Sequence, residues 1–221
     1  MTAAREEILG RVGAALATVG GREPAPSDQG PAYRRGSDRT RAELLDLLVE
    51  RLQDYGTRVR RVPPAGIAAA IAEACGDRGS RRMVVPADAP AEWASRAFEM
   101  VIDADLPARE LDLLDGVVTG CALAIAETGT IALDGGRHQG RRALTLVPDH
   151  HVCVVWRDQI VGLVPEAIDA LRRAVAGEGR PVTLISGPSA TSDIELRRVE
   201  GVHGPRKLDV ILVTDAPGEP W

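Results

Sequence analysis

VTGCALAIAETGTIAL, residues 118–133, carries one acid, Glu127, beside a Thr-Gly-Thr turn in a run of small residues. Leu123, Ile125, Ile131 and Leu133 alternate with small neighbours on either side of Thr128-Gly129. That period of two predicts two short strands joined by a tight turn. Such a hairpin holds a carboxylate and two hydroxyls at the rim of a sheet. A second segment of similar character, ISGPSATSDIE at 185–195, follows another apolar run.

Working outward, the chain from residue 57 alternates apolar strands with helices. Strands are predicted at 58–62, 83–85, 100–102, 143–147, 152–156, 181–186 and 209–213. Helices are predicted from Pro63-Pro64 to Cys75, over 90–98 and 107–114, and from Pro165 to Gly177 with Ile168, Leu171 and Val175 inward. Buried strands separated by helices imply a mostly parallel sheet covered on both faces. The helix-free stretch from Val117 to Trp156 adds an antiparallel part. Towards the N-terminus, residues 3–19 form an amphipathic helix through Ile8, Val12, Leu16 and Val19. A Gly-, Pro- and Ser-rich arm follows over 20–37, and Asp38 caps a second helix to about Tyr55. The organisation expected is a helix and extended arm over 1–36, an α/β domain over 37–215 and a tail over 216–221.

Composition excludes several classes. Of 221 residues 44% are hydrophobic but only 3% aromatic, so Ala, Val, Leu and Ile must fill the core. The formal charge is −5, and the arginines are scattered as doublets rather than gathered into one basic stripe, which disfavours nucleic acid. Lys207 is the single lysine, in a Pro-Arg-Lys-Leu segment unsuited to a pyridoxal phosphate site. Cys75, Cys121 and Cys153 are widely spaced with no Cys-x-x-Cys, so this chain alone offers no iron–sulfur or structural zinc set. Cys121 and Cys153 read as buried thiols. Charges interrupt the N-terminal segment and no apolar run is long enough to span a bilayer, so a cytoplasmic location is expected.

The motifs admit functional and plain readings. Ser192-x-x-Glu195 has capping-box spacing, with Asp193 favouring the helix dipole. Ser186, Ser189 and Thr191 nonetheless offer more hydroxyls than a cap uses, and the loop follows the carboxyl end of a strand, where open α/β sheets bind ligands. Glu127 is either a solvated hairpin acid or a partly desolvated base, and spacing does not choose. His203 sits in the rigid loop Gly-Val-His-Gly-Pro, 201–205. His150 and His151 point to opposite faces of a strand, and no spacing supports a metal cluster of His138, His151 and His203. The Gly-Gly-Arg-His-Gln-Gly loop at 135–140 leads into a predicted strand, so it lacks the helix start of a dinucleotide motif. It reads as a basic loop with Arg137, Arg141 and Arg142.

Together, VTGCALAIAETGT, LVPDHHVCVV, SGPSATSDIE and GVHGPRKLDVIL resemble the LUD-domain family, in its lactate-utilisation protein C type, over about 80–213. The resemblance implies a three-layer α/β/α fold like that of ribose-phosphate isomerases and CoA-transferases. It also implies a role in oxidising L-lactate to pyruvate beside iron–sulfur partner subunits. Carried over position by position, Glu127, Thr128, Gly129 and Thr130 match the family's Glu-Thr-Gly-Thr. Ser186, Gly187, Pro188, Ser189, Thr191, Asp193 and Glu195 match the second segment, and His203 and Gly204 the third. Glu127 and His203 are the expected proton-handling groups; the others are expected to line a small carboxylate or phosphate site, with no metal. The cofactor stays open. An assembly subunit with a silent pocket, and a transferase using Glu127 as an acyl carrier, are the alternatives.

Overall fold

A computed structural model describes residues 2–18, 33–192, 198–200 and 204–214. The chain divides into two units, residues 1–34 and 35–221. The first contains α1, Thr2–Thr18, whose Ile8, Leu9, Val12 and Leu16 are all exposed.

In the second unit α2 spans Arg41–Asp54 and buries Leu44, Leu45, Leu48 and Leu52 along one stripe. Its cap is Thr40 rather than Asp38. Thr40 donates its N–H to Glu43 Oε2 (2.7 Å) and its Oγ1 accepts from Glu43 N–H, a reciprocal box that Asp38 lies too early to form. Gly56, at φ +80°, turns the chain out of the helix. Strand β1 follows at Arg58–Val62, then α3 at Ile67–Arg78. Next come β2, Arg82–Val85, and β3, Glu99–Ile102; α4, Ala108–Leu111; β4, Gly116–Thr119; β5, Leu123–Ile125; and β6, Thr130–Leu133. The remainder holds β7, His150–Trp156; β8, Ile160–Val161; α5, Val164–Arg172; β9, Thr183–Ile185; β10, Ala190–Ser192; β11, Arg198–Glu200; and β12, Lys207–Val213.

Six strands form one sheet in the order β1-β12-β7-β4-β2-β3, every pairing parallel. Its centre is the seven-residue pair β7 and β12, in register from His150↔Lys207 to Trp156↔Val213. Covered on both faces, these strands are apolar from Val152 to Val155 and from Val210 to Val213, while His150, His151 and Asp209 are buried polar residues near their amino ends. Ile67, Ala70, Ile71 and Ala74 of α3 pack on the face carrying Val152, Val154, Ile211 and Val213. The opposite face, with Cys153, Val155, Leu208, Val210 and Leu212, meets the leucines of α2 and Ala124, Ile131 and Leu133 of a second sheet. That sheet runs β8-β5-β6-β9, with β5 and β6 as the antiparallel hairpin and α5 on its outer side. The α/β reading, with a mostly parallel sheet and an antiparallel part, holds.

Four local expectations give way. Residues 90–98 make only one 3₁₀ turn, Ala91–Trp93, because Ala94 is extended and Ser95 Oγ accepts from Ala97 N–H. Residues 143–147 are not a strand. Arg142 donates to the Thr145 carbonyl (2.8 Å) and closes a 3₁₀ turn over Arg142–Thr145. Along α5 only Ala167 and Leu171 reach the second sheet, and the wider turn at Arg173–Gly177 shifts the face; Ile168 and Val175 are exposed. The strand at 181–186 is β9, which among the described residues is an edge strand pairing only with β6, and Leu184 is exposed.

Candidate functional site

The Glu-Thr-Gly-Thr turn joins β5 to β6 as its alternation predicts. Gly129 adopts φ +59°, and a Cβ there would stand 2.7 Å from Arg51 Cβ, so the turn rests directly on the last turns of α2. Thr128 Oγ1 and Thr130 Oγ1 are 2.8 Å apart, and Thr130 Oγ1 is 2.8 Å from Ser186 Oγ. A chain of hydroxyls thus runs from the first motif to the second. The Glu127 N–H donates to the Gly162 carbonyl (3.1 Å), while the side chain is exposed.

The second motif is anchored on the same helix. Gly187, at φ +87°, lies against Tyr55, where a Cβ would come 2.5 Å from Tyr55 Cβ. Ser189 N–H donates to the Pro205 carbonyl (2.8 Å) and brings Gly204-Pro205 alongside. Ser186, Gly187, Ser189 and Gly204 therefore share one wall of a cavity of about 240 Å³. Its other wall is Arg142, Thr145, His151, Thr183 and Leu208. Glu127, Thr128, Gly129 and Thr130 are not among the lining residues; Thr130 reaches the cavity through Ser186. Thr191 pairs with Val199 and Ser192 with Arg198 in the antiparallel β10–β11 pair, and the residues that would follow a Ser192 cap lie outside the described residues. Asp193, Glu195 and His203 lie outside the described residues.

The cavity is not where the open-sheet rule puts it. His151 and Leu208 are register partners at the amino ends of β7 and β12, and β9 belongs to the second sheet. The site sits at the junction of the two sheets.

Sequence reasoning missed half of this wall. The basic-loop reading treated Arg141 and Arg142 alike, but the structure separates them. Arg141 forks onto Asp103 (2.8 and 2.9 Å), and that contact holds the carboxyl below its ordinary range. Arg142 turns the other way and lines the cavity. Among the described residues no aspartate or glutamate lines it. His151 is fully buried, with Nε2 2.8 Å from Thr119 Oγ1 and Nδ1 without a hydrogen-bond partner among the described residues. The legible signal was the strand alternation that sends His150 and His151 to opposite faces. His138 is elsewhere, edge-on to Trp93.

His150, on the α3 face, joins a separate buried cluster. Its Nδ1 is 2.9 Å from Ser80 Oγ and its Nε2 3.2 Å from Asp209 Oδ2. Asp209 also accepts from Arg60 (2.8 Å) and Arg78 (3.0 Å). Burial pushes its carboxyl up, yet the bonds from His150, Arg60 and Arg78 outweigh that and hold it at about 2. Burial lowers the His150 pKa despite Asp209. With Ser80, His150 and Asp209 all buried, and none lining a described cavity, this cluster ties β7 and β12 to β1 and α3. Cys121 and Cys153 are also buried. Their mutual contact, followed by His151 and Thr119, draws the Cys153 thiol below its usual value and leaves Cys121 above.

Fold and cavity together define an α/β protein with a parallel sheet, a smaller second sheet and a cavity of about 240 Å³ at their junction. The chain belongs to the LUD domain family, whose model matches residues 45–213. It is 51% identical over 184 residues to "Lactate utilization protein C" of Deinococcus radiodurans, covering 83% of this chain and 85% of that protein. It is 27% identical over 228 residues to "Uncharacterized protein YkgG" of Escherichia coli, covering 96% and 98%. A crystal structure of a DUF162 family protein from Deinococcus radiodurans superposes with a TM-score of 0.70 at 46% identity, covering 80% of this chain and 99% of that one. Among the described residues no helix is long and apolar enough to cross a membrane.

Proposed function

We propose that this chain serves lactate utilisation as a cytoplasmic subunit that binds a small carboxylate in the cavity beneath Ser186–Ser189. The carrying observation is the wall itself: a guanidinium, an imidazole and several hydroxyls, with no acid among the described residues. Kinship with proteins named for lactate utilisation supplies the substrate class. Oxidation of lactate to pyruvate releases two electrons, and the three scattered cysteines provide no cluster motif. We therefore pair the chain with iron–sulfur partner subunits that accept them. Ser186, Gly187, Ser189 and Gly204 form the ligand-side loop, braced by Thr128, Gly129 and Thr130. Thr191, Asp193, Glu195 and His203 complete the family segments, with His203 as the proton-handling candidate. Glu127, exposed in its turn, supports neither base chemistry nor the acyl-carrier alternative. We take 37–215 as the working domain, with 1–36 and 216–221 as appendages.

Calorimetric titration with L-lactate and pyruvate tests binding directly, and lactate-dependent dye reduction by the partner subunits, with and without this chain, tests the role. Saturable binding and loss of dye reduction without the chain are expected. No binding together with unchanged reduction would refute the proposal. A second reading, an assembly subunit, draws on the exposed apolar residues of α1. It requires that deleting 1–36 abolish association with the partners while lactate binding persists.

A further inference from the structure

Among the described residues Arg142 is held as a cation without a counter-charge. Its NH1 donates to the carbonyl (2.8 Å) and to Oγ1 (2.9 Å) of Thr145, which fixes the plane of the guanidinium. Among the described residues it forms no ion pair, and its Nε and NH2 have no hydrogen-bond partner, whereas Arg141 next to it is saturated by Asp103. Partial burial lowers its pKa from the usual arginine value, and among the described residues only the neutral contacts with Thr145, in its own turn, offset that desolvation. A guanidinium edge of two parallel N–H donors matches a carboxylate.

His151 is the second incomplete group. The ring is 1% exposed and lines the same cavity, yet among the described residues Nδ1 has no partner. Buried polar atoms in native proteins are almost always bonded, to protein, water or ligand. Thr119 Oγ1, on Nε2, can donate or accept, so Nδ1 is free to be acceptor or donor in turn. The cavity, at about 240 Å³, is below the range of drug-sized pockets and suits an acid of a few carbon atoms. Ile185 and Leu208 give it apolar wall for a short alkyl group.

We propose that this cavity selects short 2-hydroxy and 2-oxo acids, Arg142 gripping the carboxylate through its Nε–NH2 edge and His151 Nδ1 bonding the oxygen on C2. This rests on the reading of the cavity as a small-carboxylate site and adds what reads the ligand. One tautomer of His151 accepts from the hydroxyl of a 2-hydroxy acid; the other donates to the carbonyl of a 2-oxo acid.

The test is calorimetry on the full chain with L-lactate, pyruvate and propionate, which keeps the carboxylate but lacks the C2 oxygen. Wild type should bind lactate and pyruvate at least about tenfold tighter than propionate. Arg142→Gln should weaken all three by about 10–100-fold, and His151→Phe should erase the preference while leaving propionate binding intact. Should His151→Phe fail to fold, the ring ¹⁵N shifts of His151 in wild type replace it: they should move with lactate or pyruvate and stay still with propionate. If wild type binds none of the three acids, the small-carboxylate reading itself falls. If wild type binds but Arg142→Gln binds equally well, the recognition proposed here is wrong. An unselective wild type, or ¹⁵N shifts indifferent to the C2 oxygen, overturns the role of His151.

Discussion

Thr130 Oγ1 lies 2.8 Å from Ser186 Oγ, across 56 residues of sequence, and joins the two family motifs at a single hydroxyl contact. Thr130 is the middle member, bonded also to Thr128 Oγ1. Thr130→Val keeps the shape and removes both bonds. It should cost about 1–3 kcal/mol, the usual loss when a buried hydroxyl partner is deleted, measured by urea unfolding. Because Ser186 then loses its tether at the cavity wall, carboxylate affinity should fall several-fold in the same variant.

The glycines of both motifs do mechanical work. Gly129 (φ +59°) and Gly187 (φ +87°) press on Arg51 and Tyr55 of the α2 terminus, with no room for a Cβ at either contact. Gly129→Ala and Gly187→Ala should each destabilise by about 1–3 kcal/mol through left-handed backbone strain, with overlap added. Gly187→Ala should also reduce ligand affinity because its loop lines the cavity. Thermal unfolding with parallel titration checks both.

Glu127 offers a contrast. Its side chain is exposed and outside the cavity wall, although it stands in the most conspicuous motif of the chain. Glu127→Gln should leave carboxylate affinity unchanged within about twofold, on the scale of a surface substitution. A large loss of affinity would show that the turn moves onto the ligand.

The hairpin, the central strands and the α2 stripe were legible because each is encoded by a local period: Leu123 to Leu133 at two, Leu44 to Leu52 at 3.6. What was not legible depends on contacts distant in sequence. Arg142 and Thr145 looked like part of a strand because Ala143, Thr145 and Val147 alternate; a side-chain bond to a carbonyl makes the turn instead. Nothing local distinguishes Arg141 from Arg142, since the distinction is Asp103, 38 residues away. Strand alternation separated His150 from His151, but only the three-dimensional arrangement shows that one meets Asp209 and the other a cavity. Ser186 does follow the carboxyl end of a strand, as read, but that strand is β9 of the second sheet, so the cavity faces the amino ends of β7 and β12 in the parallel sheet.

The buried thiols give a reactivity prediction. Cys75, Cys121 and Cys153 are all buried and free. Burial, and then the nearby Asp209 carboxylate, push the Cys75 thiol up to about 12, while the contacts with Cys121 and His151 acidify Cys153. Native protein should react slowly with a thiol-specific disulfide reagent, and all three cysteines should react at once in denaturant. If one native site is labelled first, Cys153 is expected, identified by mass spectrometry, since the thiolate is the reactive form. Preferential labelling of Cys75 would contradict this.

The Asp209 cluster sets the acid limit of the fold. The folded carboxyl is held at about 2, below its ordinary 3.8, so between these values the unfolded chain binds the proton more readily. Its stabilisation is present in full above about pH 4 and is lost as pH falls through 2. The His150 pKa is also depressed, and for a histidine this acts in the same direction: below 6.5 the unfolded chain gains a proton that the buried ring resists. Stability should therefore decline in two stages on acidification, first below about pH 6.5 and again below about pH 4. Asp209→Asn should shrink the second stage, the rest of which belongs to other lowered carboxyls such as Asp103 and Asp149, and, by leaving the part-buried Arg78 facing a neutral group while Arg60 keeps Asp77, should cost about 3 kcal/mol at neutral pH. His150→Gln should flatten the first stage and retain the second. Urea unfolding of the three proteins at intervals between pH 3 and 8 separates these contributions; an unchanged acid profile in Asp209→Asn would remove this cluster as the cause.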